Sequence, residues 1–285
     1  MSIGVGISLS LDPPSGGQVL LPDEITTTPL LAAFSTRRVV STYSGPSLRL
    51  RRDSDNAELD FGFIGNHLDV DAIATWLGGA NGRIVIWYDQ SGAGFDVDQT
   101  ASLRQPVYTA SQINNRPSLT FNAFPYLQRV ANLWTTDGVE VMTATQTIVG
   151  GSIWKLFFSQ TDSNGIFPGG WAAGTVFSLF RSLKGVAGTY RTSDTAIVHA
   201  TPVLTNSRFA TTTNRQSRLD QVDGPVESTA EADAPQTRFH IGSFGNALSL
   251  IGNQFMGEVL VWGAILSDED RQALETNLNG HWGLF

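Results

Sequence analysis

The sequence predicts an all-β protein, an antiparallel two-sheet jelly-roll sandwich with a short C-terminal helix. Short segments rich in β-branched and aromatic residues recur between Gly, Asn, Asp and Pro turns. Helical periodicity occurs in two segments, whereas a parallel sheet would need a crossover helix after nearly every strand. The composition, with 41% hydrophobic residues, 15% charged residues and 29 glycines, is typical of many strands joined by turns.

The N-terminal residues 1–28 are predicted to form an assembly arm ahead of a sandwich domain at residues 29–285. Apolar residues alternate with Gly and Ser from Ile3 to Leu11, which is the pattern of a strand. Residues 12–17, which contain two prolines and two glycines, then interrupt it. We expect this tethered strand to add to a partner's sheet. The alternative, a plain first strand of the sandwich, stays open.

The strands of the predicted domain begin after Leu30. Their patterns place them at residues 32–43, 48–52, 84–88, 119–121, 147–158, 175–179, 239–241 and 255–262. Residues 219–224 are predicted to be a strand entering a hairpin turn at Asp223 and Gly224. Trp87, Val259 and Val261 are expected in the core.

Two helices are predicted. The first begins at its cap, Asp69, and ends at Gly78 and Gly79. The second runs from about Ser267 to Asn279, and three acidic residues lie at the positive end of its dipole. Its apolar stripe contains Leu274, Leu278 and Trp282. We expect this helix to pack on the edge or end of the sandwich.

Two stretches resemble known families. Residues 41–58 and the segment Trp87-Tyr88-Asp89-Gln90-Ser91-Gly92 resemble the N-terminal half of the fungal α-L-arabinofuranosidase B catalytic domain. Similar segments occur in phage-borne and bacterial proteins, often virion proteins. Residues 239–242 and 255–271 resemble the closing strand and helix of laminin G-like and concanavalin A-like domains. Both resemblances imply a jelly-roll sandwich.

The turn at Asp89 admits two interpretations. In the favoured one, Asp89 ends a buried strand and accepts backbone N–H bonds in the following turn. In the other, Asp89, Asp96 and Asp98 bind a Ca²⁺ ion through their carboxylates. Their spacing matches no established calcium loop.

The resemblance to arabinofuranosidases implies a Glu nucleophile on a central strand and an Asp acid in a glycine-rich stretch before the closing strand. Here the acid's position falls at or near Phe244, and residues 163–193 contain no Asp or Glu. Glycoside hydrolysis ordinarily needs two carboxyl groups, and Asp162 or Asp194 would have to supply one. This pattern predicts no catalytic residues and no arabinofuranosidase activity.

The favoured function is therefore a non-enzymatic phage virion protein of a tail, fibre or capsid-decorating kind, located in the virion. Its partners would be other virion proteins, reached through the arm in an oligomer or larger assembly, and a host glycan. The alternative is a glycoside hydrolase of the arabinofuranosidase type. A net charge of −8 argues against nucleic-acid binding, because phosphate contacts need clustered positive charge. The single basic run, residues 49–52, is expected to pair with the acidic residues that follow it.

The sequence also argues against a membrane span, a signal peptide and a metal or cofactor site. No apolar run approaches the ~18 residues of a membrane span, and the first residues lack the basic region of a signal peptide. We therefore expect synthesis in a bacterial cytoplasm without membrane insertion. The chain has no cysteine, and its four histidines are scattered, so no metal or other cofactor is expected.

A ligand site is predicted on a loop at residues 165–174, which contains four glycines and a proline. Trp171 would offer a flat apolar face to a sugar ring. The site also includes Phe167, Asn164 and Asn246. The alternative is that Trp171 fills the end of the sandwich as a core residue.

Overall fold

A computed structural model describes residues 20–122, 125–131, 133, 138–148, 200–211, 213–228, 239–242 and 254–285 with their side chains. Between residues 149 and 199 it describes the backbone of five strands. The predicted strand at residues 3–11 lies outside the described residues.

The described chain is mainly β, and every strand pair is antiparallel. The strands are β1 Leu30–Ser35, β2 Leu48–Arg52, β3 Glu58–Phe61, β4 Phe63–Ile64, β5 His67–Leu68, β6 Gly82–Trp87, β7 Val97–Asp98, β8 Val107–Ile113, β9 Arg116–Phe121, β10 Leu127–Arg129, β11 Val139–Thr147, β12 Ile153–Lys155, β13 Phe158–Ser159, β14 Gly165–Ala172, β15 Phe177–Gly185, β16 Arg191–Val198, β17 Pro202–Thr211, β18 Asn214–Leu219, β19 Val222–Glu227, β20 Phe239–Ile241 and β21 Gln254–Trp262. The helices are α1 Pro22–Ile25, α2 Val70–Leu77 and α3 Asp268–Trp282, with a 3₁₀ turn at Ser102–Arg104.

Strand pairing builds two layers. In the first sheet, β1 and β9 lie along one edge of β21, and the order continues through β11, β17, β18 and β19. In the second sheet, the order is β3, β2, β6, β7, β10, β20, β13, β14, β15 and β16. The β8–β9 hairpin joins the two sheets, because β8 also pairs with β6.

The two sheets share one apolar interior. Phe34 of β1 lies 5.8 Å from the ring of Trp87 in β6 and 6.3 Å from that of Phe239 in β20, measured between centroids. The predicted core residues Trp87, Val259 and Val261 belong to this cluster and are fully buried. Burying each such large side chain contributes about 1.5–3 kcal/mol. Packing of both sheets around this cluster is the main source of stability.

Helix α3 covers the opposite face of the first sheet. Its predicted stripe is confirmed, since Leu274, Leu278 and Trp282 are fully buried in a second apolar cluster. The sheet's side chains in that cluster come mainly from four adjacent strands, and they include Ala33, Met142, Leu204 and Leu260. The prediction that this helix packs on an edge or end is therefore wrong. Alternate residues of these strands point to the two faces, so a second apolar face remained that the helix had to cover.

Both helices begin at the predicted residues. The Asp69 carboxylate accepts a hydrogen bond of 3.0 Å from the backbone N–H of Ala72, and Gly78 ends α2 with φ of 57°. The Ser267 hydroxyl accepts one of 3.0 Å from the Asp270 N–H. α3 runs past the predicted end to Trp282.

Several strand predictions need correction. The first strand ends at Ser35, and a strand ends at Thr147 where the pattern predicted one to begin. The predicted hairpin is present, but its turn is at Asp220 and Gln221, with φ of 45° and 69°, rather than at Asp223 and Gly224. Asp220 is held there because its carboxylate accepts the Leu204 N–H at 2.8 Å.

Residues 20–28 pack beside α3. Leu21 is buried, the Thr26 hydroxyl donates to the Asp270 carboxylate at 2.9 Å, and the Asn277 amide donates to the Leu20 carbonyl at 2.6 Å. Residues 1–19 lie outside the described residues, so the assembly arm and the division at residue 28 stay predictions. Within the described part of the chain, no helix has the length and apolarity needed to cross a membrane.

Candidate active-site face

The turn after β6 is held by the buried carboxylate of Asp89. Its Oδ1 accepts hydrogen bonds of 2.9 Å from the backbone N–H groups of Ala33 and Ser91. Its Oδ2 accepts the Ser91 hydroxyl at 2.8 Å and the Phe95 N–H at 3.0 Å. The predicted acceptor role is confirmed. These bonds connect the turn to β1, which belongs to the other sheet.

Gln90 extends this connection. Its Oε1 accepts the Val39 N–H at 2.9 Å, and its Nε2 donates to the carbonyls of Ser35 at 3.0 Å and Arg37 at 2.9 Å. Gln90 is 1% exposed, so its whole amide is satisfied by backbone groups. The Asp89-Gln90 pair therefore sets the position of the chain that leaves β1.

A calcium site at this turn is not supported. Both carboxylate oxygens of Asp89 are occupied by protein donors, and Oδ1 of Asp96 accepts the Asp89 N–H at 2.8 Å. Asp98 is not part of this network. Across the described residues, no three His, Cys, Asp or Glu side chains form a group that could hold a metal ion.

A row of mostly polar side chains crosses the second sheet on the face turned away from the shared interior. In strand order the row is Asp60, Arg49, Ile86, Asp98, Gln128 and His240, each the register partner of the next. Their chain neighbours Phe61, Leu48, Trp87, Val97, Leu127 and Ile241 all lie in the interior. Because successive side chains of a strand point to opposite faces, these six share the far face. We call them the far-face row.

One end of the far-face row is an ion-pair cluster. Arg49 makes a bidentate pair with Asp60 at 2.7 and 2.8 Å, and the Tyr88 hydroxyl donates to the same carboxylate at 2.8 Å. The bonds from Arg49 are the main cause of a lowered pKa at Asp60. This carboxyl therefore stays ionised through the neutral range.

The rest of the basic run is paired in the same way. Arg51 contacts Asp53 at 2.9 Å and Arg52 contacts Asp55 at 2.6 Å. The expected local charge pairing of residues 49–52 is confirmed.

The middle of the far-face row contains a carboxyl group, Asp98, whose pKa is raised rather than lowered. Asp98 is half-buried, and burial raises its pKa, while Arg129 lowers it by a smaller amount. Its register partner on β10 is Gln128, followed on β20 by the buried His240. Tyr126 approaches His240, with the ring centroids 5.7 Å apart. Asp98 is the carboxyl of the row best suited to hold a proton.

Other buried carboxyl groups lie on the α3 side, and each has protein donors. Glu140 accepts the Asn206 amide at 2.7 Å and the Leu266 N–H at 3.0 Å, and burial raises its pKa. The Glu258 carboxylate accepts hydrogen bonds from Nε and Nη2 of Arg37, at 2.7 and 2.9 Å. These groups join strands and α3, so their role is structural.

The predicted ligand loop is a strand. Phe167 and Trp171 lie in β14, whose eight residues all pair with β15, and Trp171 is opposite Ile153 and Leu179. Pairing with β15 along its whole length, and with β12 and β13 at four positions on its other side, outweighs the weak strand propensity of Gly and Pro. Asn164, Asn246 and Phe244 lie outside the described residues, as do the side chains of Phe167 and Trp171, so the predicted glycan contacts stay predictions.

The chain is similar to known arabinofuranosidases. Residues 24–120, about a third of the chain, match the family model of the alpha-L-arabinofuranosidase B catalytic domain. A solved mutant GH54 α-L-arabinofuranosidase soaked with 4-nitrophenyl α-L-arabinofuranoside is 18% identical, covers 91% of this chain and has a TM-score of 0.69. An arabinofuranosidase complexed with arabinofuranosyl-α-1,2-xylobiose is also 18% identical over 91% of this chain, with a TM-score of 0.66.

The likeness has limits. This chain spans 65% of the first solved enzyme and 64% of the second. A search of curated proteins found no match.

These findings contradict the sequence-based prediction of a non-enzymatic phage virion, tail or host-adhesion protein. They favour the alternative, a glycoside hydrolase. The prediction failed because it treated Phe244 and the acid-free residues 163–193 as decisive, although the alignment there is loose. Residues 24–120 thus resemble the arabinofuranosidase B catalytic domain, within a fold that solved GH54 arabinofuranosidases share.

Proposed function

We propose that this protein is a glycoside hydrolase of the α-L-arabinofuranosidase type, which binds an α-L-arabinofuranosyl group at the far-face row. The proposal rests on the location of the segment that matches the family model, because this segment contains most of the far-face row. Residues 24–120 contain four of the six residues of the row, including both carboxyl groups, and also the Asp89-Gln90 connection behind it. We also propose that the two sheets form a jelly-roll sandwich, supported by their shared interior.

Asp98 is our candidate for the proton donor. A glycosidase acid must keep its proton until the leaving-group oxygen needs it, and burial raises the pKa of Asp98 as this role requires. Gln128, its neighbour on β10, is placed to hydrogen-bond a sugar hydroxyl. Tyr126, which packs against the buried His240, supplies a ring surface beside it.

The second carboxyl group must come from outside the far-face row. Asp60 is three strands from Asp98, or about 14 Å at ~4.8 Å a strand. Paired glycosidase carboxyls lie roughly 5–9.5 Å apart. Asp60 is also engaged by Arg49 and Tyr88. The sequence leaves Asp162 and Asp194 as the candidates for this second carboxyl group.

The first experiment measures hydrolysis by the purified protein. It should release 4-nitrophenol from 4-nitrophenyl α-L-arabinofuranoside and arabinose from arabinofuranosyl-α-1,2-xylobiose, and should leave 4-nitrophenyl β-D-xylopyranoside intact. Wild-type protein that cleaves neither arabinoside would overturn the proposed function.

The role of Asp98 is tested by Asp98→Asn, because an activated nitrophenolate leaves without protonation whereas a sugar does not. We expect kcat/KM to fall by about 10²-fold or more on the xylobiose substrate and far less on the nitrophenyl substrate. Wild-type activity on the xylobiose substrate should decline as pH rises through the pKa of Asp98. The control is Asp55→Asn, an exposed carboxylate outside the row. Equal losses on both substrates would show that Asp98 is not the acid.

A further inference from the structure

A polar cavity lies beside α3, on the side of the molecule opposite the far-face row. Its volume is about 220 Å³, and its polar lining consists of Arg37, Arg38, Asn66, His67, Arg116 and His281. This is smaller than the roughly 300–1,000 Å³ of pockets for drug-sized ligands. We call it the arginine cavity. It fits a small group or one end of a larger molecule.

Of the three arginines that line the cavity, only Arg37 is paired with a carboxylate among the described residues. Arg37 is committed to Glu258 by two bonds of 2.7 and 2.9 Å. Arg38 and Arg116 make no ion pair within the described part of the chain, and Nε of Arg38 is buried there without a hydrogen-bond partner. The Arg38 guanidinium lies 5.7 Å from the Phe63 ring centroid. Two guanidinium groups therefore have donors to spare.

The field in the cavity affects its ionisable groups. Burial lowers the pKa of Arg116, and Arg37 lowers it further. Burial, followed by the charges of Arg37, Arg116 and His67, lowers the pKa of His281 to about 2. His281 is therefore a neutral imidazole, which donates one N–H and adds no charge.

The two histidines, scattered in the sequence, meet at the cavity wall. The rings of His67 and His281 are stacked, with centroids 5.8 Å apart and planes 18° from parallel. His67 is exposed and His281 is half-buried. The stack holds both rings at the cavity wall, and it brings together chain segments that are over 200 residues apart in the sequence.

We propose that the arginine cavity binds a small oxyanion, a carboxylate or phosphate group, between the guanidinium groups of Arg38 and Arg116. Charge-assisted hydrogen bonds from arginine to such oxygens are among the strongest in proteins. An anion would satisfy the buried Nε of Arg38 and offset the repulsion between Arg116 and Arg37. The site does not depend on the proposed hydrolase activity, and either can fail alone.

Calorimetric titration tests the proposal with two probes, inorganic phosphate and sodium glucuronate, at a constant ionic strength maintained with NaCl. We expect saturable binding of at least one probe, and the preferred probe identifies the source as a phosphate or a sugar carboxylate. In the double variant Arg38→Gln/Arg116→Gln the Kd should rise at least tenfold. The control is Arg104→Gln, a surface arginine that stacks on Tyr126 and does not line the cavity.

An NMR measurement keeps the test independent of the variants' folding. In wild-type protein the ring Cε1–H signals of His67 and His281 should shift on titration with the bound probe, and those of His240 should not. No saturable binding of either probe, or binding that the double variant keeps at wild-type affinity, would overturn the proposal.

Discussion

The Asp89 carboxylate is the contact whose loss should matter most to the segment shared with arabinofuranosidases. In Asp89→Asn the amide keeps one oxygen, which can still accept from Ala33 and Ser91, whereas its NH₂ group then faces the Ser91 hydroxyl and the Phe95 N–H. The hydroxyl can rotate to accept, but the Phe95 N–H meets another donor. One lost bond to a charged group is worth about 1.5–3 kcal/mol, and a buried unsatisfied donor about 1–3 kcal/mol. We expect a net loss of about 2–4 kcal/mol.

Urea denaturation followed by tryptophan fluorescence and circular dichroism measures this loss. Asp55→Asn is the control, because it removes the carboxylate of an exposed ion pair and should leave the midpoint nearly unchanged. Adding CaCl₂ should not change the wild-type midpoint. A loss below about 1 kcal/mol would refute the hydrogen-bond account, and a calcium-dependent midpoint that Asp89→Asn abolishes would show that the turn binds Ca²⁺.

Two further predictions concern packing and pH. In Gly257→Ala the new Cβ would lie 2.2 Å from the Trp282 ring, so the melting temperature should drop by the equivalent of about 1–3 kcal/mol. Trp282→Leu should destabilise the Gly257→Ala protein less than it destabilises wild type. Strictly additive losses in the double variant would contradict the contact. Burial raises the pKa of Asp220 to about 6 from its usual 3.8. Because the folded state then binds this proton more tightly than the unfolded state, stability should decline as pH rises from about 4 to about 6. Asp220→Asn should flatten the decline in urea midpoints over this window, and an unchanged profile would exclude Asp220 as its source.

The sequence was least informative where strands are buried on both faces. β11 and β17 are among the longest strands, yet neither was predicted, because polar residues such as Glu140, Thr143 and Asn206 interrupt any alternation. Their partners explain the burial, since Asn206 donates to Glu140 at 2.7 Å and Thr143 bonds to Thr205 at 2.6 Å. These pairs join residues more than 60 positions apart, which no local pattern reveals.

The candidate site is also assembled from residues that lie far apart in the sequence. The sequence identified the turn at Asp89 but offered no reason to group Asp98 with Gln128 and His240, which come together through strand register. His67 and His281 likewise looked isolated in the sequence, and they stack in the arginine cavity. The signal that was available was the resemblance over residues 41–58 and 87–92, and the family model that matches residues 24–120 agrees with it.

The sequence by itself determined the features that depend on interactions between residues close together in the chain. It determined the mainly β class, the starts of both longer helices at Asp69 and Ser267, the buried stripe of α3 and the charge pairing of residues 49–52. Capping, alternation and short-range ion pairs act within a few residues and leave their pattern in the chain. Only the tertiary structure decided which face α3 covers, which carboxyl groups lie together and which arginines lack a carboxylate partner among the described residues, because pairing between distant strands brings these groups together.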